Sequence, residues 1–303
     1  MFALSRPLSH KAAIAQALFV TFLWSTSWVL IKLGLQDIPP LPFAGLRYAL
    51  AFVVLLPFAL RSGSSRGALR SITPMELGVL AIYGLLFVAI TQGAQFVGLA
   101  LLPAATVSLL LNFSPLVVAL FGVLFLAELP TRQQWLGIGV YLAGIIIYFA
   151  PSGLAEAQVV GVAVVLLAVM SNAASSVMGR HINRGGRLGA LLITTVSMGV
   201  GSAALLGVGI AAQGLPALTA THWLYIAWLA VVNTAAAFPL WNNSLRTLTA
   251  VESSIINSTM LAQIAVLAFV FLGEKLDTQE LLGMALVAIG VLWVQLRGAK
   301  RET

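Results

Sequence analysis

Residues Phe125–Tyr148 read FLAELPTRQQWLGIGVYLAGIIIY, and residues Phe271–Val294 read FLGEKLDTQELLGMALVAIGVLWV. The shift is 146 positions, close to half of the 303-residue chain. Seven residues recur in register: Phe125/Phe271, Leu126/Leu272, Glu128/Glu274, Gln133/Gln279, Leu136/Leu282, Gly137/Gly283 and Gly144/Gly290. A charged turn leading into an apolar run thus occurs twice, which divides the chain into two repeats, 1–152 and 153–303.

The surroundings of both copies are apolar. Sixty per cent of the residues are hydrophobic and 8% are charged, against about 25% charged in a soluble domain. Such a chain has too little polar surface to face water and reads as an all-α integral membrane protein. The net charge of +7 does not point to nucleic acid, because the basic residues sit in short loops between apolar runs, where they act as topology signals. Cysteine is absent, which rules out disulfides and thiolate metal sites. No cofactor and no metal is expected, and no nucleotide-binding loop occurs, so ATP is not the direct driving force.

Ten spans are predicted, at roughly 12–34, 41–60, 75–98, 103–126, 132–150, 158–180, 188–211, 222–245, 249–272 and 278–297. Connections such as RSGSSRG and NRGGRLG carry turn and breaker residues. The first run is long enough to span and is read as a retained helix rather than a cleaved signal. With the N-terminus in the cytoplasm, 13 of the 16 Lys and Arg residues fall in inner loops or at inner helix ends and only Lys275 in an outer loop. The expected topology therefore has both termini cytoplasmic, in the inner membrane of a bacterial cell. A repeat of five spans is odd-numbered, so the second copy is inserted upside down. Spans 1 and 6 align more weakly, through Ser27/Ser175, Val29/Val177 and Lys32/Arg180. Inverted repeats let a carrier exchange the conformations of its halves and alternate its access.

The residues resemble a known family. GLALLPAATVSLLLNFSPLVVALFGVLFLAELP and its counterpart starting WNNSLRTLTAVESS are similar to the EamA-type repeat of the drug/metabolite transporter (DMT) superfamily. The pattern includes Trp24 and Lys32 in span 1, Arg47 in span 2, Pro115 in span 4, and Glu128 and Glu274 closing spans 4 and 9. Leu261 stands where many members carry a second proline. The whole chain resembles bacterial amino-acid exporters of the YddG type. The resemblance implies the DMT/EamA fold of two inverted five-helix repeats, and export of amino acids, aromatic ones in particular.

Charge placement narrows the chemistry. All nine acidic residues, and His10, His181 and His222, lie at or near helix ends or in loops. A buried charge costs at least about 2.5–3.5 kcal/mol on insertion scales and is normally kept for function. Without a mid-span carboxylate, the expected substrate is neutral or zwitterionic, most of all an aromatic or large hydrophobic amino acid. Lys32 and Arg47 sit near the outer ends of their spans. They are read either as snorkelling side chains, or as a contact with a substrate carboxylate or a charge brace in the outer gate.

Candidate substrate-binding residues are Trp24, Ser27 and Trp28 of span 1, Gln92 and Gln95 of span 3, Asn112 of span 4, Asn172 and Ser176 of span 6, Asn233 and Trp241 of span 8, and Asn257 of span 9. Each is read alternatively as interhelical bonding or core packing. Together they suggest a central cavity lined by spans 1, 3, 4, 6, 8 and 9. The glycine pairs Gly137/Gly144 and Gly283/Gly290 form a small-residue stripe on spans 5 and 10, read as packing within a monomer or as a dimer face. Trp135, Trp223, Trp228 and Trp293 read as an interface belt. Pro115 should kink span 4, with Pro57 and Pro239 acting similarly. An intramembrane protease is excluded, because neither a Ser–His pair nor two membrane aspartates are present. A multidrug or metabolite exporter of another substrate class, or a channel-like facilitator, would share the cavity and remains the alternative.

Overall fold

The structure is a computed structural model. It describes residues 8–298 apart from 115, 118–131, 150–155, 185–187, 246 and 249. Every described element is helical: α1 (His10–Gly34), α2 (Pro40–Arg61), α3 (Gly63–Arg70), α4 (Pro74–Gly84), α5 (Gly93–Leu101), α6 (Ala104–Leu111), α7 (Arg132–Phe149), α8 (Glu156–Arg184), α9 (Ala190–Gln213), α10 (Ala220–Ala230), α11 (Ala237–Ser244), α12 (Ala250–Leu272) and α13 (Thr278–Gly298). Two π-helical segments join α4 to α5 (Leu85–Gln92) and α10 to α11 (Val231–Ala236).

Among the described residues, six helices are long and apolar enough to cross a bilayer: His10–Gly34, Pro40–Arg61, Pro74–Leu101, Gln158–Gly179, Ala190–Gln213 and Ile255–Leu272. Trp135–Phe149 and Thr278–Trp293 are shorter apolar helices. The count of ten is thus not reproduced among the described residues. Span 4 is described only as far as 117, and span 8 changes helix type at Val231. The Pro115 kink and the Glu128 turn lie outside the described residues. What precedes them is a break: α6 stops at Leu111, and the chain turns through Asn112 and Phe113. RSGSSRG, expected as a loop, begins the short helix α3, because the Ser62 hydroxyl caps it by accepting from the Ser65 amide.

Local chemistry sets the ends. Pro40 opens α2 at a position where its missing N–H costs nothing. Gly214 ends α9 with φ 77° and Gly273 follows α12 with φ 68°, a region that only glycine enters without a steric penalty. Thr73 and Glu76 form a reciprocal capping box at the start of α4. Thr219 and His222 form another at the start of α10, where the imidazole Nδ1 accepts from the Thr219 amide at 3.2 Å.

The chain forms two compact units, and neither follows the halves of the sequence. One comprises Met1–Leu33, Leu102–Val160 and Ala236–Thr303. In it α7 packs along α13, and the glycine stripe is the reason. A Cβ at Gly290 would lie 2.7 Å from the Gly137 carbonyl oxygen, and one at Gly283 would lie 2.8 Å from that of Gly144. These two contacts exchange under the 146-residue shift, as a two-fold crossing requires. The stripe is therefore consumed within the chain, the first of its two readings. Tyr141, Tyr148, Leu261 and Val287 are buried beside it.

The other unit comprises Gly34–Leu101 and Gly161–Ala235. Here α2 packs along α9. Gly45 and Gly209 allow that approach: a Cβ on Gly45 would stand 2.6 Å from the Leu206 Cα, and one on Gly209 2.8 Å from the Pro42 nitrogen. Tyr48, Leu55, Val88 and Met198 form its buried core.

Candidate substrate site

The sequence repeat is most legible, structurally, in the two π segments. Each follows eleven α-helical residues that start after a threonine capping box, and Thr73/Thr219 and Leu85/Val231 are both 146 apart. A π segment widens the turn and shifts which side chains share a face, and such segments are frequent at functional sites. In each, a threonine hydroxyl donates to the carbonyl five residues back. Thr91 Oγ1 reaches Leu86 O at 2.9 Å, and Thr234 Oγ1 reaches Leu229 O at 2.9 Å. Leu86 O accepts a second hydrogen bond from Ser171 Oγ of α8 at 2.8 Å. Apolar periodicity could not reveal these segments, because both helices are apolar on every side. The spacing T-x-x-E at Thr73 was a readable signal for the first box; a histidine in the fourth place hides the second.

In the second unit a polar and aromatic set gathers around the first of these helices. Arg47 is 6% exposed. Its Nη2 donates to Thr234 Oγ1 at 3.3 Å, and its guanidinium carbon lies 5.1 Å from the Tyr48 ring centre and 6.0 Å from that of Phe96. Tyr48 donates its hydroxyl to Gln92 Oε1 at 2.7 Å, and Phe96 meets Phe43 edge-on at 5.3 Å. Arg47 therefore does not snorkel, because its bond partner sits in the middle of a helix. The sequence could not distinguish the two orientations, since an arginine about two turns from a helix end can reach either way. Asn233, beside Thr234, is fully buried. Tyr48, Phe96 and Thr234 were not among the candidate residues.

In the first unit Trp24 packs on Trp241 at 5.3 Å and on Phe238 at 5.5 Å, both tilted, and Trp28 is buried. Next to this cluster a closed network joins α1 to α12. Ser25 Oγ donates to Gln263 Oε1 at 2.9 Å, and the Gln263 amide donates to Thr259 Oγ1 at 3.0 Å and Thr21 Oγ1 at 3.4 Å. With these bonds made, Ser25 and Gln263 serve packing. Glu274, from the opening motif, accepts from the Ala104 and Ala105 amides at 2.8 and 3.3 Å. It caps the free N–H groups of α6 and places a negative charge at the positive end of that helix. Lys32, half-buried, lies within electrostatic reach of the same carboxylate, so the charge-brace reading has a partner.

The other candidates are less gathered. Ser27 donates to Trp24 O at 2.6 Å and Ser176 to Asn172 O at 2.8 Å, both within their own helices. Asn112 donates to Ser108 O at 2.8 Å. Gln95 is partly buried and Asn257 is exposed. Trp135, Trp223, Trp228 and Trp293 are 41–58% exposed, as side chains at a lipid interface would be.

Long apolar helices, an internal repeat and polar groups buried at mid-helix define the class of multi-pass membrane transporters. The signature of the EamA-like transporter family matches residues 11–150 and 159–296, and the chain belongs to that family. It is 29% identical over 288 residues to the uncharacterized inner membrane transporter YedA of Escherichia coli K12, covering 91% of this chain and 87% of that protein. It is 27% identical over 297 residues to a probable amino-acid metabolite efflux pump of Salmonella typhimurium, covering 91% and 92%. With the uncharacterized transporter YvbV of Bacillus subtilis it shares 29% identity over 189 residues, 62% of this chain, and there the chain spans 59% of the relative's length. A solved crystal structure matches 97% of this chain and 100% of its own at a TM-score of 0.66 and 20% identity, a likeness of fold.

Proposed function

We propose that this transporter works by alternating access and exports small neutral or zwitterionic metabolites, above all amino acids with aromatic or large hydrophobic side chains. We place it in the cytoplasmic membrane with both termini inside, acting as a monomer. The observation that carries the reading is the make-up of the buried mid-helix groups. Among the described residues they are amides, hydroxyls, aromatic rings and one guanidinium, with no carboxylate. Such groups suit an amphipathic zwitterion, whereas an isolated organic cation would find nothing to offset its lost hydration.

The proposed contacts in the first unit are Trp24, Trp28, Asn112 and Trp241, with Lys32 and Glu274 as a charge brace near the helix ends. In the second unit they are Gln92, Gln95, Asn172 and Asn233. The paired π segments support alternating access, because two halves that exchange roles need equivalent deformable points. The probable amino-acid metabolite efflux pump of Salmonella typhimurium supports the substrate class by relationship. The test is competition in proteoliposomes without ATP. Unlabelled phenylalanine and methionine should reduce transport of labelled phenylalanine, while lysine and a quaternary ammonium dye compete weakly. Transport of the dye, with none of any neutral amino acid, would make the chain a multidrug exporter instead.

A further inference from the structure

We propose that Arg47 is an anion receptor that takes the carboxylate of the transported molecule; this deepens the substrate reading above and rests on it for the identity of the ligand. The charge of Arg47 is unbalanced. Arg47 is 94% buried within an apolar helix, and no acidic side chain pairs with it among the described residues. Its Nε has no hydrogen-bond partner, and its described hydrogen bond is the one from Nη2 to Thr234. A guanidinium is charged at every physiological pH and carries five N–H donors in one plane. The rings of Tyr48 and Phe96 approach its central carbon, and a ring attracts the cation without supplying the in-plane oxygen acceptors that a guanidinium fork matches. Its Nε–H is thus an unspent donor in a place where unspent donors are costly.

The surroundings fix the orientation of the group. Thr234, within the second π segment, accepts from Nη2 while donating its own proton to Leu229 O, near the end of α10. Tyr48 is held in turn by Gln92, the last residue of the first π segment. Arg47 is therefore tied to both π segments and presents a fork whose geometry matches a carboxylate in a bidentate pair. A purely structural role would be served by the same rings and threonine, so the test must separate the two.

The probes are phenylacetate and its neutral isostere phenylacetamide, added to the purified full-length protein in detergent, with ligand-dependent thermal stabilisation as the readout. The wild type should bind the acid about tenfold or more tightly than the amide, as a charge-assisted pair requires. Arg47→Gln should bind both alike, and Arg47→Lys should keep part of the preference. Thr234→Val, which leaves the cation in place, should keep the preference while weakening it. Equal binding of acid and amide by the wild type, no saturable binding of the acid at millimolar concentration, or an acid preference that survives in Arg47→Gln would each overturn the proposal. Equal binding of acid and amide by the wild type overturns the proposal even if the variants fail to fold. Phenylalanine transport is measured in parallel: transport without Arg47-dependent acid binding overturns only this inference, and acid binding without amino-acid transport overturns only the substrate reading.

Discussion

Replacing Gly290 by alanine puts the packing of α7 on α13 to a quantitative test. The new methyl carbon would lie 2.6 Å from the Tyr141 amide nitrogen, 2.7 Å from the Gly137 carbonyl oxygen and 2.8 Å from the Tyr141 Cα. All three are backbone atoms, so no side chain can rotate away and the helices must separate. Overpacking of this kind costs about 1–3 kcal/mol, partly offset by the gain of up to about 1 kcal/mol when a helical glycine becomes alanine. The expected net loss is about 1–2 kcal/mol. Gly139→Ala is the control: it lies in α7 with nothing within 4 Å of the added carbon, so it should be neutral or stabilising. Gly283→Ala should resemble Gly290→Ala, because its added carbon also meets backbone, the Gly144 oxygen and the Tyr148 nitrogen, each at 2.8 Å. The double variant should lose less than the sum, since the first methyl already opens the gap that the second needs. Reversible unfolding in mixed detergent micelles, followed by tryptophan fluorescence, measures all four. Wild-type stability in Gly290→Ala, or full additivity in the double variant, would refute this picture of the crossing.

Glu274→Gln should cost about 1 kcal/mol of stability through loss of charge at the α6 terminus, and Lys32→Met added to it should cost less than it does alone, which a double-mutant cycle in the same unfolding assay would detect. Asn233→Leu should insert and fold, as judged by a monodisperse elution profile, while phenylalanine transport falls about tenfold, the loss of one hydrogen bond to substrate; unchanged transport would make Asn233 structural. Cysteines placed at Ser71 and Ala217 in this cysteine-free chain should label from opposite sides of the membrane, and labelling of both from outside would remove the inverted topology.

Much of the architecture was written in the chain, and the gaps have physical causes. The recurrence of Gly137/Gly144 as Gly283/Gly290 announced a close helix crossing, since a side-chain-free stripe at two-turn spacing has few other uses. Glu274 was marked by its repetition, but its task was not, because the amides that it caps lie 170 residues earlier. The orientation of Arg47 was hidden for a different reason. A long cationic side chain decides its direction by what faces it on other helices, and here that is Thr234. The π segments leave no trace in hydropathy, and only Thr73 with Glu76 hinted at where their helices begin. Trp24 and Trp28 were separable from the belt tryptophans by depth alone, and the packing of Trp24 on Trp241 and Phe238 agrees with that division.

Counterflow is the most direct test of a carrier for neutral amino acids. Proteoliposomes loaded with unlabelled phenylalanine and diluted into a trace of labelled phenylalanine should accumulate label transiently above equilibrium, without ATP, because an alternating-access carrier exchanges one bound substrate for another. A simple approach to equilibrium with no overshoot, in vesicles shown to be permeable to phenylalanine, would contradict the account and point to a channel-like facilitator.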